Sequence, residues 1–258
     1  MRKVIRKISA AIVATTITVA MCATCFAGTT FEGYFGQREN WYEGADGSLS
    51  GATASSFSAD MDAIGWGGVW GAQAHRDITV KKGQKYTLSF KATTTTAEKW
   101  VFFNVTDSQD TVVYADWLHL QPGVTENYKA TFKASANATF IYYGMGGEFG
   151  DRTEEQGDIY ALSEVLPNDA DSSFSTSVKV TNFKCVKSKA KLKVTKDKKK
   201  NGIALYNYLK KNGKIFKQVG DFVCTIQTSG NKIQIKAIQN QEVVADVKLA
   251  KNKPQATV

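Results

Sequence analysis

The chain has 258 residues, a formal net charge of +9 and four cysteines. Two of the cysteines, Cys22 and Cys25, lie in a leader-like segment, and the remaining pair, Cys185 and Cys224, is too few for a disulfide framework. Length allows one sizeable domain and one small one. The charge is unevenly spread. Residues 28–187 hold 13 Lys or Arg against 20 Asp or Glu, whereas residues 188–258 hold 16 Lys against 4 acids and no Arg. An acidic part is thus followed by a basic one, which marks a boundary as well as a preference in partners. Base recognition favours Arg, so a lysine-only basic region argues against nucleic acid.

Residues 1–27 read as an export signal. Arg2, Lys3, Arg6 and Lys7 form a positive start, the stretch from Ile8 to Phe26 is uncharged, and Cys25-Phe26-Ala27 supplies the small residues of a cleavage site. The rival reading is a retained anchor, but the run is thinned by Ala and Thr rather than filled with Leu. The expected location is therefore secreted or cell-surface, with no membrane span after cleavage. Cys185 and Cys224 can pair in such a compartment, or stand as two separately buried thiols; both readings remain open.

From there the pattern is β. Alternation places strands over Tyr86-Leu88-Phe90, after a turn at Lys81-Lys82-Gly83-Gln84, then over Val101-Phe103-Val105 and Tyr128-Ala130-Phe132. Further strands are expected near 69–79, 111–120, 138–146, 157–163 and 176–187. That spacing predicts an all-β jelly-roll sandwich over residues 28–187. A polar loop is expected over 151–177 and a lysine-rich link over 187–200. Residues 188–258 read as a small second β domain, immunoglobulin-like or barrel-like. Its strands would cover Ile203 to Leu209, Ile215 to Thr228, Ile233 to Ile238 and Val243 to Leu249, with hairpin turns at Asn212-Gly213 and Ser229-Gly230-Asn231.

Catalytic signatures are missing. Glu148, Asp151, Glu154, Glu155 and Asp158 lie in a glycine-rich polar stretch, not at the two-residue spacing that would set a carboxylate pair on one strand face. His75 and His119 have no Cys or carboxylate at zinc-ligand spacing. No nucleophile elbow or phosphate loop is present, so no enzyme is expected.

The aromatic residues say more. On the strand near 98–106, Trp100 and Phe102 share one face with Asn104, opposite Val101, Phe103 and Val105. Rings stack on the C–H faces of a pyranose while an amide takes its hydroxyls. If Leu118 and Leu120 fill the core, Trp117 and His119 point outward. Phe140 and Tyr142 lie opposite Ile141 and Tyr143. Trp41 and Tyr42 follow Arg38, and Trp66 and Trp70 sit among glycines.

Together, Phe31-Glu32, Trp41, Trp70-Gly-Ala-Gln73, Lys82-Gly83-Gln84-Lys85-Tyr86-Thr87-Leu88-Ser89-Phe90, Asn127 to Phe132 and Val178 to Phe183 resemble the jelly-roll carbohydrate-binding modules of families four, nine and twenty-two. The resemblance spans about 29–187, and the segment around Tyr86 is its most specific part. It implies a groove on the concave sheet walled by Trp41, Trp70 and Trp100. It also implies a structural calcium near Glu32 and the last strand, where Asn182 stands in place of the usual Asp; no other cofactor is called for.

The expected function is non-catalytic recognition of a polysaccharide. Trp41, Trp66, Trp70 and Trp100 would stack on sugars, Arg38, Gln73 and Asn104 would hold hydroxyls, and Phe102, Trp117 and Tyr142 would complete the surface. The basic region would attract anionic cell-wall polymer. The alternative is a structural or adhesive surface protein whose aromatic patch meets another protein.

Overall fold

The computed structural model describes residues 29–36, 45–64, 69–107, 111–146, 175–189, 197–219, 222–239 and 242–252. The leader, Arg38, Trp41, Trp66, the acids from Glu148 to Asp158 and the strand expected at 157–163 lie outside the described residues.

Ten strands precede the only helix among the described residues: β1 (Glu32–Phe35), β2 (Ala45–Ser50), β3 (Phe57–Ile64), β4 (Ala72–Val80), β5 (Lys85–Thr94), β6 (Lys99–Thr106), β7 (Tyr114–Leu120), β8 (Glu126–Lys133), β9 (Ala138–Gly144) and β10 (Thr176–Lys187). Helix α1 (Lys198–Asn212) is followed by β11 (Lys214–Val219), β12 (Phe222–Ser229), β13 (Lys232–Gln239) and β14 (Glu242–Ala250). A five-stranded sheet has the order β1-β4-β9-β6-β7, and a nine-stranded sheet runs β14-β13-β12-β11-β8-β5-β10-β3-β2. This is an all-β sandwich of jelly-roll type, as the alternation predicts.

Period-two patterning explains the layers. In β5, Tyr86, Leu88, Phe90 and Ala92 are buried between half-exposed or exposed neighbours. Together with Val101, Phe103 and Val105 of β6 and Ile141 and Tyr143 of β9 they form one core shared by both sheets. Phe103 sits 5.1 Å from Phe90, 4.7 Å from Tyr128 and 5.9 Å from Tyr143, ring centre to ring centre. Burying each such ring contributes about 1.5–3 kcal/mol. At the core edge, Tyr128 donates to Asp116 Oδ2 at 2.5 Å and is hydrogen-bonded to Tyr114. Burial, reinforced by the Asp116 charge, pushes both phenols well above their ordinary value.

The C-terminal region departs from expectation in two places. Ile203 to Leu209, expected as a strand, is the middle of α1. Its buried or half-buried Gly202, Leu205, Tyr206 and Leu209 recur at three- and four-residue spacing, and Tyr206 and Leu209 pack on Ile226 and Ile233. Asp197 caps the helix by accepting from the Lys200 N–H at 3.1 Å, and Lys210 and Lys211 face the negative end of its dipole. Second, Asn212-Gly213 is not a hairpin turn but the end of that helix. Gly213 has φ 76°, its N–H reaches the Leu209 carbonyl, and an added Cβ would meet Lys129 O at 1.9 Å. Only glycine satisfies both the left-handed φ and that contact. Ile215 to Thr228, part of the four or five strands expected here, is two strands paired with each other. The hairpin at Ser229-Gly230-Asn231 matches its prediction, closing on Ser229 and Lys232 with Gly230 at φ 54°.

The C-terminal strands extend the larger sheet. β11 pairs parallel with β8 through Lys214 and Ala130, and Ile215 and Thr131. Lys214 Nζ donates to Asp116 Oδ2 at 2.7 Å, and Phe216, Val223 and Ile238 join the main core. Cys185 and Cys224 are separate buried thiols. Desolvation pushes the Cys185 thiol up to about 12.

Candidate functional site

The five-stranded sheet turns one face to the core and the other away from it. On β6 the outward side chains are Trp100, Phe102, Asn104 and Thr106, because Val101, Phe103 and Val105 are committed to the core. Strand register then decides what stands beside them. One row across the sheet runs Glu32, His75, Tyr142, Asn104 and Ala115. The next runs Tyr34, Gln73, Gly144, Phe102 and Trp117, and Trp100 pairs with His119 beyond it.

Aromatic rings occupy most of these places. His75 lies flat between Tyr34, at 5.1 Å and 7°, and Tyr142, at 5.2 Å and 18°. Glu32 Oε2 stands 3.8 Å from His75 Nε2. At the other end, Trp100 stacks on His119 at 4.2 Å and 10°. His119 Nε2 is bonded to Glu98, and Gln121 Nε2 lies 3.2 Å from the same ring nitrogen. Hydrogen bonds from Gln121 and then His119 hold the Glu98 carboxyl below its ordinary value.

Between the two ends, the single 3-10 turn Val69–Gly71 folds over the sheet. It can do so because Gly144 has no side chain: a Cβ there would lie 2.8 Å from Val69 Cγ2. The turn sets Trp70 edge-on to Phe102 at 5.5 Å and to Tyr142 at 6.3 Å. Gln73 holds the turn by donating from Nε2 to the Trp70 carbonyl at 2.9 Å. Val69, Phe102, Ala115 and Trp117 form a small second core on this outer side, with Trp70, Trp100 and Val112 half-buried against it.

The sequence-predicted residues therefore fall into three groups. Trp70, Trp100 and Tyr142 are half-exposed on one surface. Phe102, Trp117, Gln73 and Asn104 belong to the same face but lie beneath it, at 0%, 9%, 6% and 4% exposure. Asn104 Oδ1 is sealed there without a hydrogen-bond partner. Arg38, Trp41 and Trp66 lie outside the described residues. Tyr34 and His75 join these rings through cross-strand register, which no local sequence pattern announces.

The described outer positions of the five strands carry Glu32 and Asp77 but no Lys or Arg, so the face is neutral to acidic. Glu32 is turned to His75, while Asn182 lies exposed on β10 of the other sheet, and among the described residues no three His, Cys, Asp or Glu side chains converge as a cation site.

No family model and no curated protein matches the sequence. Among solved structures, the fold is similar to one described as a CBM4 structure, at 15% identity and TM-score 0.41 over 61% of this chain and 94% of that one. It is similar also to the N-terminal cellulose-binding domain of β-1,4-glucanase C from Cellulomonas fimi, at 14% identity and TM-score 0.40 over 62% of this chain and 90% of that one. A third similar structure is the CBM22-1 xylan-binding domain of Xyn10C from Paenibacillus barcinonensis, at 8% identity and TM-score 0.34 over 65% of this chain and 100% of that one.

Proposed function

We propose that the outer face of the five-stranded sheet binds a neutral polysaccharide outside the cell, without cleaving it. The observation that carries this reading is the set of half-exposed rings Tyr34 on β1, Tyr142 on β9 and Trp100 on β6, with Trp70 on the turn beside them, on a face whose described strand positions carry no Lys or Arg. From β1 to β6 there are three intervals of about 4.8 Å, roughly 14 Å in all, enough for more than one sugar ring in a row. Ring faces favour the C–H surface of a sugar, and the flanking Glu–His pairs offer fixed acceptors and donors for hydroxyls.

A protein partner fits this face less well. Among the described residues, the exposed large aliphatic side chains, Val124, Val186, Ile203, Val243 and Val244, lie elsewhere. An apolar protein patch would want such groups among the rings. Catalysis also fits poorly. A glycosidase acid needs a carboxyl raised towards neutrality, whereas Glu98 is held low by its hydrogen bonds. The exposed lysines of α1, Lys199, Lys200, Lys210 and Lys211, would add a salt-sensitive attraction to anionic wall polymer.

Affinity electrophoresis through gels containing β-glucan, xylan, mannan or starch tests the reading. At least one neutral polymer should retard the protein, with no sugar released. Trp100→Ala should weaken that binding about tenfold, since a stacking ring is worth roughly 0.5–1.5 kcal/mol beyond its buried area, and should leave the melting temperature nearly unchanged. Loss of folding with intact affinity in the surviving protein would refute the assignment.

A further inference from the structure

A second polar feature lies on the inner side of β4. Arg76 follows Ala72 and Ala74 on the face directed into the sandwich and is 5% exposed. Its guanidinium carbon lies 5.6 Å from the Phe31 ring centre and 5.3 Å from that of Phe183. Nε–H donates to the Asp77 carbonyl at 3.1 Å and Nη1 to the Ala54 carbonyl. These two bonds engage two of the five N–H groups of a guanidinium. No carboxylate pairs with it among the described residues, and desolvation is the leading influence on its acidity. Arginine stays charged in proteins, and a buried charge is costly unless paired.

The charge is not sealed in. Arg76 lines a cavity of about 210 Å³ with Ala54, Ser55, Ile78, Phe183, Lys184, Cys185 and Val186. β10 opens this side: its ladder with β5 shifts between Thr181 and Lys184, and Asn182 sits at φ 55° in that bulge. Phe183 N–H bonds the Ser55 carbonyl at 3.0 Å, which fixes the cavity wall. Bulges often re-aim side chains next to functional sites. Lys184 and Val186 border the cavity along the strand, but they are the exposed residues alternating with the inward Phe183 and Cys185.

We infer that this cavity binds a small organic carboxylate. The guanidinium presents a planar set of donors suited to carboxylate oxygens. Phe183, Ile78 and Ala54 offer an apolar wall for a short carbon body. The volume lies below that of pockets for drug-sized ligands, which sets a limit at a small molecule or a single acidic end group. The cavity belongs to the inner side of the sheet and is separate from the ring-lined face.

Thermal unfolding of the full chain in rising sodium butyrate, at ionic strength kept constant with sodium chloride, tests the inference. The melting temperature should climb and saturate, as ligand binding to the native state requires. Lys184→Met, on the outward side of β10, should leave the ligand-free melting temperature, the polysaccharide binding and the butyrate response unchanged. Arg76→Lys keeps the charge but loses the planar fork, and most of the rise should disappear. A flat response in the wild type, or an equal rise in Arg76→Lys, overturns the inference. Should Arg76→Lys fail to fold, the Arg76 Nε–H resonance decides. It must shift with butyrate in step with the melting temperature, and an unmoved resonance overturns the inference as well.

Discussion

The two faces of the five-stranded sheet are made by the same strands and almost the same residue types, yet they have opposite characters. On the inner face Phe103, Tyr143 and Val105 are fully buried in a core shared by two sheets. On the outer face Trp70, Trp100 and Tyr142 are only half-covered and rest on a thin layer of Phe102 and Trp117. Aromatic content alone therefore does not separate core from site. What separates them is whether a second sheet or only a short turn covers the rings.

The largest expected effect sharpens that contrast from the inner side. Phe103→Ala should cost about 3–5 kcal/mol of folding stability and leave the affinity of the folded fraction unaltered, as denaturant unfolding and gel retardation would show. An affinity loss without a stability loss would mean that the two faces have been interchanged.

The second effect is pH-dependent and also belongs to the inner face. Lys99 is fully buried, donates to the Gly146 carbonyl at 3.3 Å, and burial lowers its amine to about 7. Between about 7 and the ordinary lysine value of 10.5 the unfolded chain binds the proton and the folded chain does not, so stability rises with pH. From 9 upward Cys185 opposes it, because its folded value of about 12 exceeds the ordinary 9 and the unfolded chain loses that proton first. Stability should then climb by roughly 2 kcal/mol from pH 7 to 9 and turn over above. Lys99→Met should abolish the climb; a climb that persists would locate its source elsewhere.

The smallest effect on stability should do the most selective damage to the outer face. Gly144→Ala puts a methyl group into Val69 and must displace the turn carrying Trp70. Overpacking of this kind costs roughly 1–2 kcal/mol, while polysaccharide affinity should fall several-fold. Unchanged affinity would show that Trp70 is dispensable.

Much of the fold was legible locally. The pairs Tyr86/Leu88 and Val101/Phe103 alternate cleanly, and β10 falls on its expected 176–187. β3 carries the same signal in Phe57, Ala59 and Met61 and was readable. β2, Ala45 to Ser50, has a single large apolar residue and was not. α1 was misread because Ile203 and Leu205 imitate alternation, although Ile203 is in fact exposed. The face bearing Trp100 and Asn104 follows from two-residue periodicity. Its composition across strands does not, since His75 meets Tyr142 only through the β4–β9 register. Nor does sequence show that Gln73 is engaged with the Trp70 carbonyl.

The parallel join of β11 to β8 has a consequence for how the chain reaches this state. Until Lys214 and Ile215 arrive, β8 is the outermost strand of its sheet, with a row of unpaired backbone groups between Glu126 and Lys133. Such an edge is a template for pairing with another chain. Synthesis delivers the N-terminal strands first, so the edge stays bare while more than eighty further residues are made. The lysines along it, Lys129 and Lys133, are then a defence of the nascent protein: they repel a second copy of the same strand during the interval before β11 closes the edge.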